Sequence, residues 1–452
     1  AIESSLLPDG SLAADAVLAS EVRFGSKGEE LSYYSKDGHR SDGGARDGGT
    51  ASSGMLKLKR IMYATFLPSG YPASLPDEYT KYQAYNLLQD LTSNLRGILS
   101  TQKILEGMGV GKAGVTSLAA TMQWMARDGS SMLGGLLFTA FASSSFGIHI
   151  KRWRLFADLI NDVALLLDML APAYPELFLP IICLSSVFKA MCGVSAGACN
   201  AAIVQHWATR GNIADVGAKT GAQHTIVSVL ALPLGFLFAQ AANSSLQSLW
   251  ASFVVLTSIH VWACYSMMRT LALRILTRSQ LDRILPKLLF DDNEKSKGTS
   301  SMTPACLAKT DKLLWLPWAE DPFCSFELVF GVSLSTILRS GIPLKKLISL
   351  FEGEKFMVAQ ADDHPREAKK PKLVICVAEE STPRDYLRAY ITAHVIAREL
   401  NFSTKPTEQE SLIRQALEKM RSSYQGVEKR LMDAGWDLQQ VSLGQPAWVG
   451  RW

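Results

Sequence analysis

Between Thr220 and Met268 the chain contains no Asp, Glu, Lys or Arg. A water-soluble helix turns a charged face to solvent, so a charge-free stretch of this length constrains the fold more than any other feature of the sequence. A bilayer span needs roughly 20 apolar residues, and Asn243-Ser244-Ser245 divides the stretch into two such lengths, which reads as a helical hairpin. Upstream, Ser131 to Ile150 is also uncharged, and Leu177 to Gln205 carries Lys189 alone. Two weaker candidates are Ala113 to Ala126, which is short, and Leu155 to Ala171, which carries Asp158, Asp162 and Asp168.

The placement of bases tests a bundle with spans at 110–126, 131–150, 155–171, 177–204, 222–242 and 246–268. On that scheme Lys103 and Lys112, Lys151-Arg152-Arg154, Arg210 and Lys219, then Arg269, Arg274 and Arg278 fall on one side of the bilayer. The opposite connections hold Arg127 as their only base. This positive-inside pattern puts both termini on the cytoplasmic side or its organellar equivalent. The expected fold is therefore mainly α: a polytopic helical membrane bundle of about six spans over residues 60–290, followed by a small α+β soluble domain. The competing reading is a large soluble helical core whose helices are apolar on all sides.

The flanks have a different composition. Residues 1–54 are rich in Gly, Ser and Asp and are expected to be a disordered leader. They lack the basic, apolar and small-residue succession of a signal peptide, so no targeting segment is expected within this chain. Residues 291–305 read as a linker into an α+β region at 306–452. There, 355–360 and 372–378 read as strands, and Thr382-Pro383-Arg384-Asp385 opens a helix with an N-cap, Pro at its first position and an acid at N3. A second helix is expected over 407–434, and 436–443 and 447–452 as returning strands. The charge of this region is solvated surface on one reading and a docking module on the other.

A net charge of +4 with mixed signs gives no broad basic surface, so no nucleic-acid partner is expected. Seven cysteines without a CxxC pair argue against a disulfide scaffold or zinc site, and Cys192 and Cys199 lie about 10 Å apart along one helix. Gly193-Val194-Ser195-Ala196-Gly197 matches G-x-S-x-G, but a nucleophile elbow needs a strand and a sharp turn, and a long apolar helix surrounds it here. Gly193 and Gly197 read instead as a G-x-x-x-G helix-packing step. Gly107-Met108-Gly109-Val110-Gly111-Lys112 departs from a phosphate loop at Glu106 and Ala113. His206, His224 and His260 are not at ligand spacing to one another. Neither metal nor cofactor is expected, and no enzymatic activity.

Ionisable groups at membrane depth are costly and usually face a partner or a wet cavity, so the polar residues of the apolar block are the functional candidates. Arg154, Asp158 and Asp162 share one helical face, flanked by Asn161. Asn212, Asp215 and Lys219 repeat the pattern, with Gln223 one turn on. Either Arg154 pairs with Asp158 and Asp215 with Lys219 at the membrane surface, or the two faces meet around a polar cavity for a small solute or proton.

The same segments carry a resemblance. Leu67-Pro68-Ser69-Gly70-Tyr71-Pro72, Gly97-Ile98-Leu99-Ser100-Thr101-Gln102 and Gly107-Met108-Gly109-Val110-Gly111 resemble the opening of the root UVB sensitive (RUS) family. Trp153 to Ala164 looks like its central motif, and Gly197-Ala198, His206 and Asn212 to Lys219, followed by Gln223 and Thr225, form a third match. Asn200 departs from the base that often follows Gly-Ala in the family. The resemblance implies a eukaryotic protein whose plant relatives are linked to UV-B responses in roots, early seedling growth and vitamin B6 balance, some in plastids. It supplies no catalytic residues. The expected partners are membrane lipid, a small polar metabolite and another RUS-family protein, and the expected place is an intracellular membrane. The functional readings are a carrier-like component or a non-transporting scaffold that recruits partners through its C-terminal region.

Overall fold

The computed structural model describes residues 17–25, 28–35, 40–42, 52–109, 117–290, 299–314, 316–318, 326–360, 372–399 and 406–452. The chain is mainly helical and divides into two compact units, Ala1–Leu99 with Ile203–Ala263, and Ser100–Ala202 with Cys264–Trp452.

In the first unit β1 (Val17–Gly25), β2 (Gly28–Ser35) and β3 (Arg40–Asp42) form an antiparallel meander. Val22, Phe24, Leu31, Tyr33 and Tyr34 carry local strand propensity that the Gly, Ser and Asp of the flanking residues dilute in the average. Next, α1 (Ser52–Phe66) stops just before Pro68, which cannot continue a helix. A turn-rich segment leads into α2 (Tyr79–Gly107), which ends at Gly109 in the left-handed conformation.

The helices α3 (Ser117–Ala142), α4 (Ile150–Leu170), α5 (Phe178–Trp207), α6 (Ile213–Ala242) and α7 (Leu246–Thr270) follow. α2, α5 and α7 each contribute residues to both units. The hairpin turn falls at Asn243–Ser245, between α6 and α7. Among the described residues three helical segments are long and apolar enough to cross a membrane: Pro175–Trp207, Ile213–Ala242 and Leu246–Thr270.

Six separate spans are not what the structure contains. The segments 110–126 and 131–150 were expected to be two spans joined at Arg127, yet residues 117–142 form the single helix α3. The join is helical because its polar groups are satisfied within the helix. The Arg127 guanidinium lies 4.5 Å over the Trp124 ring, and Ser130 Oγ donates to the Ala126 carbonyl. Arg127 and Asp128 in mid-helix also lower its apolarity below that of α5 to α7. With one helix in place of two, the alternation of sides that gathered all the bases but Arg127 on one side no longer follows. In the first unit α6 meets α2 closely, since a Cβ at Gly235 would sit 2.1 Å from Ile98 Cδ1.

In the second unit α3 meets α5 through Gly134 and Gly135. A Cβ at Gly134 would lie 2.7 Å from Val187 Cγ1, and one at Gly135 3.5 Å from the Ala190 methyl. Ser186 Oγ donates to the Arg127 carbonyl at 2.8 Å across the same contact. A Cβ at Gly193 or Gly197 would meet nothing within 4 Å among the described residues, so the close approach belongs to the α3 glycines instead.

Beyond α7 come β4 (Ile275–Thr277), α8 (Arg278–Phe290), α9 (Pro304–Ala308), β5 (Glu327–Phe330), α10 (Leu334–Ile337), α11 (Leu344–Leu350), β6 (Phe356–Gln360) and β7 (Lys372–Ala378). The expected linker 291–305 lies outside the described residues as far as 298. α12 (Pro383–Glu399), α13 (Pro406–Asp433), β8 (Asp437–Ser442) and β9 (Val449–Gly450) complete the chain. β7 is central: β5 and β9 pair with it in parallel and β6 antiparallel. β6 is buried along its whole length, as befits a strand covered on both faces. β4 pairs in parallel with β8. The core between sheet and helices gathers Phe326, Phe356, Val358, Ile375, Leu387 and Tyr390. It is pinned by two polar bonds, Tyr390 Oη to Asp282 at 2.6 Å and Trp436 Nε1 to the Met302 carbonyl at 2.8 Å.

Candidate functional site: buried charges on α4 and an anchored loop at α6

The two predicted clusters belong to different units. On α6, Asp215 sits in the first turn and accepts a hydrogen bond from the Ser69 backbone N–H at 2.8 Å. One turn on, Lys219 Nζ donates to the Ala64 carbonyl, and Gln223 Nε2 donates to the Phe66 carbonyl and, at 3.4 Å, to Tyr79 Oη. The preceding turn repeats the pattern: Thr209 Oγ1 donates to the Ser74 carbonyl at 2.9 Å, and His206 Nε2 lies 3.3 Å from Glu78. Asn212 precedes α6 as its N-cap residue without a side-chain capping bond, its Oδ1 buried. Burial pushes the Tyr79 hydroxyl above its ordinary pKa, and its ring packs edge-on to Trp207 with centroids 5.4 Å apart.

This face of α6 is therefore filled by backbone. Asp215, Lys219 and Gln223 bind the end of α1 and the start of the Leu67–Pro72 turn, where the sequence left open either surface ion pairing or the lining of a polar cavity. Lys219 is directed to a carbonyl, not to Asp215. The other histidines of the apolar block also have polar neighbours in this unit: His224 pairs with Asp90, and His260 Nε2 lies 3.3 Å from Gln89.

On α4 the predicted ion pair forms between Arg154 and Asp158, with Asp158 buried. The Cys264 thiol of α7 is within 4.8 Å of that carboxylate. Asp162 is buried one turn on, and Asn161 is half-buried on the flank. The structure adds a pair that the sequence analysis did not select. Asp168 is fully buried, accepts from Ser100 Oγ at 2.7 Å and is paired with Lys189 of α5. Its Oδ1 is buried without a hydrogen-bond partner. Ser185 Oγ, one turn before Lys189, donates to the Ala164 carbonyl at 2.9 Å and fixes the α4–α5 spacing.

The signal for this pair was present in the sequence, since Lys189 is the lone charge of its apolar run and Asp168 lies in another. Their meeting depends on the turn at Ala171–Leu177 that folds α5 back onto α4, which no local spacing reveals. Chemically, α4 presents three buried carboxylates with Arg154 and Lys189 as bases. Buried charges of this kind persist only when paired, and any change in protonation or ligand must be compensated locally.

Comparison with known proteins identifies the lineage. Residues 54–292 match a family model described as the vitamin B6 photo-protection and homoeostasis domain. The chain is 30% identical over 402 residues to Protein root UVB sensitive 3 of Arabidopsis thaliana, covering 87% of this chain and 86% of that one. It is 32% identical over 298 residues to RUS family member 1 of Dictyostelium discoideum, covering 65% and 54%. Protein root UVB sensitive 2, chloroplastic, of Arabidopsis thaliana is 24% identical over 387 residues, covering 84% and 82%. No solved structure matches. With residues 54–292, more than half of the chain, inside that family model and a relative aligned over most of both chains, this protein belongs to the root UVB sensitive family.

Proposed function

We propose that the chain is an integral membrane component of vitamin B6 homoeostasis, acting as a carrier or carrier-like element for a small polar metabolite and not as an enzyme. The observation that carries this reading is the pair of fully buried Asp168 with partly buried Lys189 of α5, joined by Ser100, on a helix apolar enough to cross a bilayer. Ionisable groups at such depth are retained where a solute or proton must be handled. Arg154, Asp158 and Asp162 extend the same polar face along α4. Besides the three apolar segments, α3 supplies an outward apolar face, with Leu133, Leu136, Leu137 and Phe141 each more than 60% exposed, suited to lipid. The domain description and the chloroplastic relative favour a B6 vitamer as the metabolite and a plastid or other intracellular membrane as the site.

The test begins with alkaline carbonate extraction of membranes bearing the full chain, followed by uptake of labelled pyridoxal and pyridoxine into proteoliposomes. Retention in the pellet with uptake lost in Asp168→Asn and Lys189→Met is expected. Release into the supernatant, or uptake no greater than in empty liposomes, would overturn it. A scaffold that recruits another family member is the second reading, favoured by Trp448 and Val449, which stand exposed beside β7. It predicts function insensitive to the α4 substitutions and lost on deleting 300–452.

A further inference from the structure

In the first unit one face of α2 is both polar and buried. Gln83, Asn86, Gln89, Thr92 and Arg96 are spaced three or four residues apart, which puts them on one side of the helix, and all five are buried. Facing them are α6 and α7, which hold no Asp, Glu, Lys or Arg between Thr220 and Met268. His224 of α6 pairs with Asp90, His260 Nε2 of α7 lies 3.3 Å from Gln89 Nε2, and Arg96 Nη1 donates to Thr257 Oγ1 at 3.3 Å. Thr and Gln suffice to join apolar helices by hydrogen bonds, whereas an imidazole and a carboxylate at the same place are costlier to bury.

The ionisable groups meet at one level of three helices. Asp90 is the twelfth of the 29 residues of α2, His224 the twelfth of the 30 of α6 and His260 the fifteenth of the 25 of α7. At 1.5 Å per residue each lies within about 5 Å of its helix midpoint. Both α6 and α7 are of spanning length, so the level is that of mid-bilayer, where ionisable side chains mark proton relays. The contact is direct, His224 Nδ1 against a carboxylate oxygen of Asp90, and a pair closed in this way fits a proton and no larger ligand. The imidazole is the accessible member, with its side chain 42% exposed against 12% for Asp90. Around the pair, α2 brings Arg96 and, edge-on to Trp262, Tyr85; α7 brings His260; and Lys219 of α6 is held by the Ala64 carbonyl of α1. Arg96 stays charged at any ordinary pH, which leaves proton exchange to the imidazoles and the carboxylate.

We propose that the His224–Asp90 pair is a proton-binding site that couples movement of the metabolite to a proton gradient. The imidazole takes a proton from hydronium while its Nδ1 passes one to the Asp90 carboxylate, where an O–H bond forms. The carboxyl later returns that proton to water on the opposite side, which restores the pair. α2 also carries Ser100, whose hydroxyl holds Asp168, so one helix bears on both the proton and the Asp168–Lys189 pair. The inference rests on the reading of the chain as a carrier. Full-length protein is reconstituted into liposomes loaded with the pH dye pyranine, and valinomycin imposes an inside-negative potassium diffusion potential. At about 60 mV, one proton moving with each neutral pyridoxine sustains about tenfold accumulation. Wild type is expected to concentrate labelled pyridoxine to that level, above empty liposomes, and to acidify the lumen only when pyridoxine is present. Asp90→Asn and His224→Gln keep hydrogen-bonding groups of similar size but cannot pass a proton. Both are expected to let pyridoxine equilibrate without accumulation or acidification, and Asp90→Glu to retain both. Wild-type accumulation in either neutral variant would overturn the site. So would loss of pyridoxine entry along with accumulation in both, which would assign the pair to the fold. Wild type that equilibrates pyridoxine without concentrating it defeats the coupling and leaves the carrier reading standing, whereas wild type that admits neither pyridoxine nor protons defeats both.

Discussion

The carboxylate of Asp215 accepts a hydrogen bond from the backbone of Ser69, 146 residues earlier in the chain. Asp215 thereby acts as a clasp on the Leu67–Pro72 turn, with Lys219 and Gln223 closing on the residues just before it. Asp215→Ala is expected to destabilise the fold by about 0.5–1.5 kcal/mol by removing that bond from an exposed N–H, whereas Asp215→Asn keeps an acceptor and stays close to wild type. Thermal unfolding in detergent, with limited proteolysis across 67–72, checks both. Equal losses in the two variants would show that the charge itself matters, not the clasp.

The Asp168–Lys189 pair has a different energetic character. Removing one partner leaves an uncompensated buried charge, so Lys189→Met alone is expected to cost about 3–5 kcal/mol, and combining it with Asp168→Leu to recover most of the loss. A double-mutant cycle on unfolding free energy measures the coupling. Purely additive losses would mean that the groups do not interact.

Gly134 and Gly193 form a matched contrast on the α3 and α5 surfaces. Val187 is β-branched and stiff, so a Cβ at position 134 cannot be accommodated by rotation, and Gly134→Ala is expected to cost about 1–3 kcal/mol. Val187→Ala should relieve part of that. Gly193→Ala and Gly197→Ala meet open space and are expected to be neutral or to stabilise by about 0.5–1 kcal/mol each through helix propensity. Unfolding midpoints of the four variants decide the matter.

His394, buried between Phe290 and Phe326, is held by burial and then by Arg398 at a pKa of about 4, against an ordinary 6.5. The unfolded chain binds the proton first, so this group's neutral state supports the fold above about pH 6.5. That support is lost as pH falls from 6.5 toward 4, by about 3 kcal/mol in total. The urea midpoint should therefore drop over that window, and less steeply in His394→Leu. An unchanged slope in the variant would place the acid sensitivity elsewhere.

What could be read from the sequence was local. The charge-free stretch and its Asn243-Ser244-Ser245 break locate α6 and α7 because both are one-dimensional signals. The start of α12 was legible for the same reason: Thr382 and Asp385 satisfy each other's backbone N–H groups, a capping box written within four residues. The continuity of α3 was not legible, because Arg127-Asp128-Gly129-Ser130 has the composition of a turn and is kept helical by the Trp124 ring and the packing of Gly134. The clasp and the buried pair were hidden for a stronger reason. Asp215 and Lys219 have i, i+4 spacing, the pattern of a surface ion pair, and only the position of Ala64 and Ser69 in space redirects them.

The parallel pairing of β4 with β8 has a consequence for biogenesis. β4 is the first strand made after α7, and its partner Asp437–Ser442 follows only after α8 to α13 and β5 to β7. Until then β4 is an open strand edge next to an apolar helix, the kind of surface through which nascent chains mispair. Production of the protein should therefore respond to holding chaperones acting after α7 is complete, and to the rate at which the intervening residues leave the ribosome.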